Sequence, residues 1–166
     1  MISTLTGSSS SKILRSWKAT EPYVTGYDIE CDYVKNVAYG QIVYIGYNKD
    51  EKTYDINVKC NNDEILRYCH LRKVNVHTAE WVETETLLGH ARDFVHFEYA
   101  TLWSTGKEFP VRVNQFCYFK QDPTPILEGK YLPSREVDLT YDMTTYNKQP
   151  YYNSLQSCKE FNWSRK

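Results

Sequence analysis

Behind Gly40, apolar positions run almost unbroken through QIVYIGY (41–47), the pattern of a buried or half-buried strand. TYDINVKC (53–60) then alternates, with Tyr54, Ile56 and Val58 on one face. NND (61–63) is a turn signal, and EILRYCHL (64–71) returns as the pairing strand. WVETETLLGHA and FVHFEYATLW (94–103) continue the series. After a turn at Thr105–Gly106, FPVRVNQFCYF reads as one more strand or as a loop crossing the sheet. No long amphipathic helical period occurs before residue 134. Short strands and turns at this spacing predict an all-β fold, an open antiparallel sheet sandwich or barrel.

The two ends break the pattern. The start, with its TGSSSSK run, reads as a flexible segment over residues 1–20. Residues 133–166 are polar, Tyr-rich and weakly periodic, with too little apolar content for a core of their own. They are expected to be an irregular extension that wraps the domain or docks on a neighbour. One domain over 21–132 remains, and a chain of 166 residues is long enough to give it a real core.

Charge and cysteines narrow the function. A formal net charge of -1 gives no basic field for nucleic acid or a membrane surface. The 15 Tyr and 4 Trp suit sheets and stacking surfaces. The five cysteines (Cys31, Cys60, Cys69, Cys117 and Cys158) are odd in number and form no CxxC pair, which predicts free thiols made in a reducing compartment. No apolar stretch nears the ~20 residues of a membrane span. The N-terminal residues lack an apolar signal core, so synthesis in the cytoplasm without a signal peptide is expected.

The candidate chemistry lies among His70, His77, His90 and His96. A hydrolytic zinc needs about three His, Asp or Glu donors on rigid strands and an open position for water. Alternation in FVHFE places Phe94, His96 and Glu98 on one face. Gly26 and Asp28 share a face if TGYDIE is extended. Asp28, His70 and His96 are therefore candidates to converge from three strands. The competing reading is that each is an ordinary hydrogen-bonded strand residue.

Six fragments in order resemble the LytM-type, M23-family zinc endopeptidases that cut peptide cross-bridges in bacterial cell walls. VTGYDIE (24–30) resembles the family's H-x-G-x-D-I motif, and YVKNVAYGQIVYIGY its PVYAxADGxVxYAGY strand pair. ILRYCHL (65–71) resembles YSTLYAHL, and VNVHTAEWVETETLLGHA resembles VKVGQxVKKGQxIG. FVHFEYA resembles HLHFEVR, and QDPTPIL (121–127) resembles the closing xDPxPYL. The resemblance covers Tyr23 to Leu132. It implies that Asp28 and His96 are the remnant of a zinc site whose third ligand position is Val24. It also implies that His70 is a vestigial catalytic histidine whose partner position is Phe94. Only Arg92 and Asp93 remain of the loop that precedes the family's H-x-H. Valine and phenylalanine offer no donor to a metal, so no cofactor is expected. Zinc is expected if the alternative of an active enzyme holds, with His90, Cys69, Cys31 or, at a strained register, Glu21 as a substitute ligand.

A degenerate M23-like domain of this kind resembles components of bacteriophage tails. The expected function is a non-catalytic structural part of a virion tail tip, knob or baseplate. Its expected partners are other tail proteins and, at infection, host peptidoglycan. An active zinc-dependent peptidoglycan endopeptidase and a bacterial wall-binding or hydrolase-activating module are the alternatives.

Overall fold

A computed structural model of the chain describes residues 2–8, 10–18, 26–60, 64–102 and 118–133. Glu21, Val24, residues 103–117 and residues 134–166 lie outside them, and with these Cys117, Cys158, the FPVRV stretch and the docking or wrapping extension.

The described chain is a short helix α1 (Ile2–Thr6), nine strands and a single-turn helix α2 (Thr124–Leu127). The strands are β1 (Ile13–Arg15), β2 (Tyr27–Glu30), β3 (Tyr33–Lys35), β4 (Gly40–Asn48), β5 (Thr53–Lys59), β6 (Glu64–Val74), β7 (Trp81–Val82), β8 (Leu87–Leu102) and β9 (Tyr118–Gln121). All nine join one sheet in the order β1-β2-β8-β6-β5-β4-β7, with β3 and β9 also paired to β8, and every pairing is antiparallel. The fold is thus the open antiparallel all-β class that the alternation predicts. No helix among the described residues is long and apolar enough to cross a membrane.

The apolar core lies on one face of the central strands. Tyr27 and Ile29 of β2, Val95 and Phe97 of β8, Leu66 and Tyr68 of β6, and Ile56 and Val58 of β5 pack there. These are alternate positions on each strand, because successive side chains point to opposite faces. The Tyr68 hydroxyl is fully buried and therefore needs partners. It donates to Asn36 Oδ1 and accepts from the Val37 backbone N–H, both at 2.9 Å, which pins the segment after β3 over the core.

Two expectations change. The N-terminal segment, read as flexible, holds α1 and β1, with Leu5 fully buried in the core and β1 paired to β2. The serine run hid this, because the apolar anchor (Leu5) precedes it and strand pairing is non-local. Separate strands were also expected either side of Arg92, whereas β8 runs through as one element of 16 residues. Between the pairs Leu71↔Ala91 and Cys69↔His96 the register shifts, so Arg92–Val95 bulge out of the β6 ladder. Val95 and Phe94 then pair with Ile29 and Glu30 of β2. The loop that precedes H-x-H in the resembled family is here a bulge.

Candidate functional site

On the face opposite the core, the same alternation brings polar groups together. Asp28 of β2 lies directly across from His96 of β8, and His96 lies across from Cys69 of β6. One row further along, Glu98 faces Arg67. Gly26 sets up this register. Its φ is +75°, and a Cβ there would fall 2.3 Å from the Phe97 carbonyl oxygen, so only glycine lets the chain enter β2 this close to β8.

His96 is 1% exposed, and both ring nitrogens are engaged. Nδ1 donates to Asp28 Oδ1 at 2.6 Å, and Nε2 donates to Glu98 Oε2 at 2.8 Å. An ionised carboxylate only accepts, so an imidazole between two of them holds both protons. Burial opposes that charge, but the Glu98 carboxylate and the hydrogen bond to Asp28 outweigh it and hold the His96 pKa above its usual 6.5. The network extends both ways. Arg15 Nε stands 3.4 Å from Asp28 Oδ2. Arg67 Nε stands 3.4 Å from Glu98 Oε1, an ion pair without good hydrogen-bond geometry, and its Nη2 stands 3.5 Å from Asp55 Oδ2. Three cations alternate with three carboxylates along Arg15, Asp28, His96, Glu98, Arg67 and Asp55.

His70 is placed differently. It sits in the β6 irregularity with φ +72°, an uncommon conformation for a residue with a side chain. Its Nδ1 lies 3.2 Å from Glu51 Oε1, and its backbone N–H donates to Asp55 Oδ1 at 3.4 Å. Its ring stacks on Phe94 with centroids 4.1 Å apart and planes 15° apart. Arg92 donates to the Glu51 carbonyl and ties the β4–β5 turn to this corner. The structure thus joins Asp28 to His96 and gives His70 to Glu51 and Phe94, so the threefold convergence is corrected to a pair. The register shift and the left-handed backbone at His70 turn it out of the row, and its ring lies flat on Phe94.

The described substitute ligands do not gather either. His90 lies 3.4 Å from Asp32 Oδ1 and packs against Tyr33. Burial pushes the Cys31 thiol up to about 11, far from the thiolate a metal needs. Cys69 is buried with its sulfur 3.6 Å from the Arg67 guanidinium. Cys31, Cys60 and Cys69 are free thiols. Among the described residues, no group of three His, Cys, Asp or Glu could hold a metal ion. Among the described residues, the donors that converge fall short of the set a hydrolytic zinc needs. Two donors converge, one of them against a guanidinium, and the third position of the resembled motif is a valine outside the described residues.

Arg15, Arg67 and Glu98 escaped sequence reading as members of this cluster. Alternation alone puts Glu98 beside His96 and Arg67 on the same face as Cys69, so the signal for those two was present. For Arg15 there was none, because the pairing of β1 with β2 is not written locally.

No protein-family model and no curated protein sequence matches the chain. Solved structures do. The peptidase lysostaphin from Staphylococcus simulans aligns at TM-score 0.54 and 20% identity over 73% of this chain, which spans 51% of lysostaphin's chain. The catalytic domain of the prophage-encoded M23 protein EnpA from Enterococcus faecalis aligns at 0.51 and 13% identity, covering 70% of this chain and 92% of that one. A chain of the SpoIIQ–SpoIIIAH pore-forming complex aligns at 0.50 and 16% identity, covering 58% and 80%. The chain carries the fold of the M23, LytM-type peptidases.

Proposed function

We propose that this chain is a non-catalytic, M23-fold structural component of a bacteriophage tail tip, knob or baseplate that contacts other tail proteins and, at infection, host peptidoglycan. One observation carries the loss of catalysis: Phe94 lies flat on His70 where the resembled motif has a histidine, while Asp28 and His96 are closed into an ionic network. Two neighbours of the same fold support the setting. EnpA is prophage-encoded, and another similar chain belongs to a pore-forming complex, so the fold occurs both in phage genomes and in assemblies.

The test has two arms. Purified protein is incubated with isolated peptidoglycan, with and without a chelator, and soluble peptide release is followed. No release is expected. Antibody to the chain is then used to probe fractionated virions, where co-migration with tail subunits is expected. Chelator-sensitive release abolished by His96→Ala would replace this reading with that of an active zinc endopeptidase. One feature favours that alternative: the Asp28–His96 convergence with Glu98 behind the imidazole is how a carboxylate orients a metal-binding histidine. Binding to intact sacculi without cleavage, and without any tail association, would indicate a bacterial wall-binding module.

A further inference from the structure

We propose that Arg15 stands in for the metal charge: β1 delivers a guanidinium to Asp28, and the chain's own cation closes this site to divalent ions. The inference rests on the non-catalytic reading above. It explains why a strand outside the resembled region is attached to this edge of the sheet.

The geometry is specific. β1 pairs with β2 so that Arg15 lies opposite Asp28. Arg15 Nε approaches Oδ2 at 3.4 Å, while Oδ1 takes the N–H of His96 at 2.6 Å. Both oxygens of the one carboxylate are thus turned to N–H groups. A divalent ion would have to displace a donor from Asp28 and settle beside a fixed positive charge. Arginine stays protonated at any pH a protein survives and has no lone pair to offer, so it can repel a metal but cannot become a ligand. A second arginine, Arg67, stands on the far side of Glu98 and is 5% exposed. Asp28, His96 and Glu98 are therefore flanked on both sides by a permanent cation, Arg15 on one and Arg67 on the other. A dication bound between them would meet repulsion from two directions in a medium less screening than water.

The experiment measures zinc affinity of the full chain by competition with a chromophoric chelator. Wild type, Arg15→Gln and Arg15→Lys are compared, each with Val24 retained and with Val24→His. Far-UV circular dichroism checks that each variant folds. Arg15→Gln is expected to tighten zinc binding about tenfold in each background that folds, the effect of removing one partly exposed charge near the ion. Arg15→Lys is expected to bind as weakly as its Arg15 parent, because the charge is kept. Equal affinities for the Gln and Lys variants would overturn the proposal, as would stoichiometric zinc in the wild type at micromolar affinity. The readout is binding, so the outcome is separable from the wall-cleavage assay. Equal affinities with no cleavage would remove the role of Arg15 and leave the non-catalytic function standing.

Discussion

Glu98 shows how a single side chain can hold a polar cluster. It is 1% exposed, yet it faces His96 on one oxygen and Arg67 on the other. Glu98→Ala would leave two buried cationic groups short of a carboxylate, and uncompensated buried charge costs about 3–5 kcal/mol. Urea unfolding should show that loss in the midpoint at an unchanged slope. Gly26 makes a second residue-scale case. Gly26→Ala forces a side chain into the left-handed region and against the Phe97 carbonyl. Strain of that kind costs about 1–3 kcal/mol before the clash is counted, so a clear drop in melting temperature is expected. Cysteine chemistry follows from burial. Cys31, with its thiol raised to about 11, should react slowly with iodoacetamide at neutral pH. Its alkylation rate should climb steadily as the pH rises toward that value, because only the thiolate attacks. Peptide mapping of timed alkylation measures this. Asp28 and His96 were legible as a pair through the motif resemblance, while alternation alone fixed only the face that each takes on its own strand. His70 was not, since a register irregularity and a left-handed backbone rotate it out of the row that simple alternation assigns.

Among the elements, the strands β4, β5 and β6 were readable nearly to their ends, because each is a run of apolar or alternating residues bounded by Gly40, a polar turn or Asn61–Asp63. α1 and β1 were not readable. α1 is five residues long, too short to stand on local propensity, and it exists because Leu5 reaches a core built from distant strands. That dependence is testable. Leu5→Ala should cost about 2–5 kcal/mol, as for other fully buried leucines. If α1 is instead an ornament, the unfolding midpoint will not move. The closing fragment QDPTPIL behaves as its residues suggest. Asp122 accepts the Thr124 N–H at 2.9 Å, α2 follows with Pro at its start, and the Thr124 hydroxyl meets the Tyr27 hydroxyl at 2.5 Å. This contact fastens the last described element to β2, the strand that carries Asp28.

For the molecule as a whole, the sheet carries the M23-type fold, and its polar face holds a salt-linked row with an apolar ring at its margin. The overall class was legible because hydrophobic alternation survives changes at a few polar positions. The meaning of the site was not, because it depends on which long-range neighbours arrive, and Arg15 comes from a strand that resembles nothing in the family's motifs. One consequence concerns the birth of the molecule. β8 bonds to β2, β3, β6 and β9, so its partners are drawn from Tyr27 to Gln121. A nascent chain leaving the ribosome cannot complete this strand's hydrogen bonding until Gln121 has cleared the exit tunnel. Such non-local pairing is slow to form and exposes unpaired edges meanwhile. The sheet should therefore not close before Gln121 is free, with full hydrogen bonding of the strand that carries His96 among the features that must wait for it.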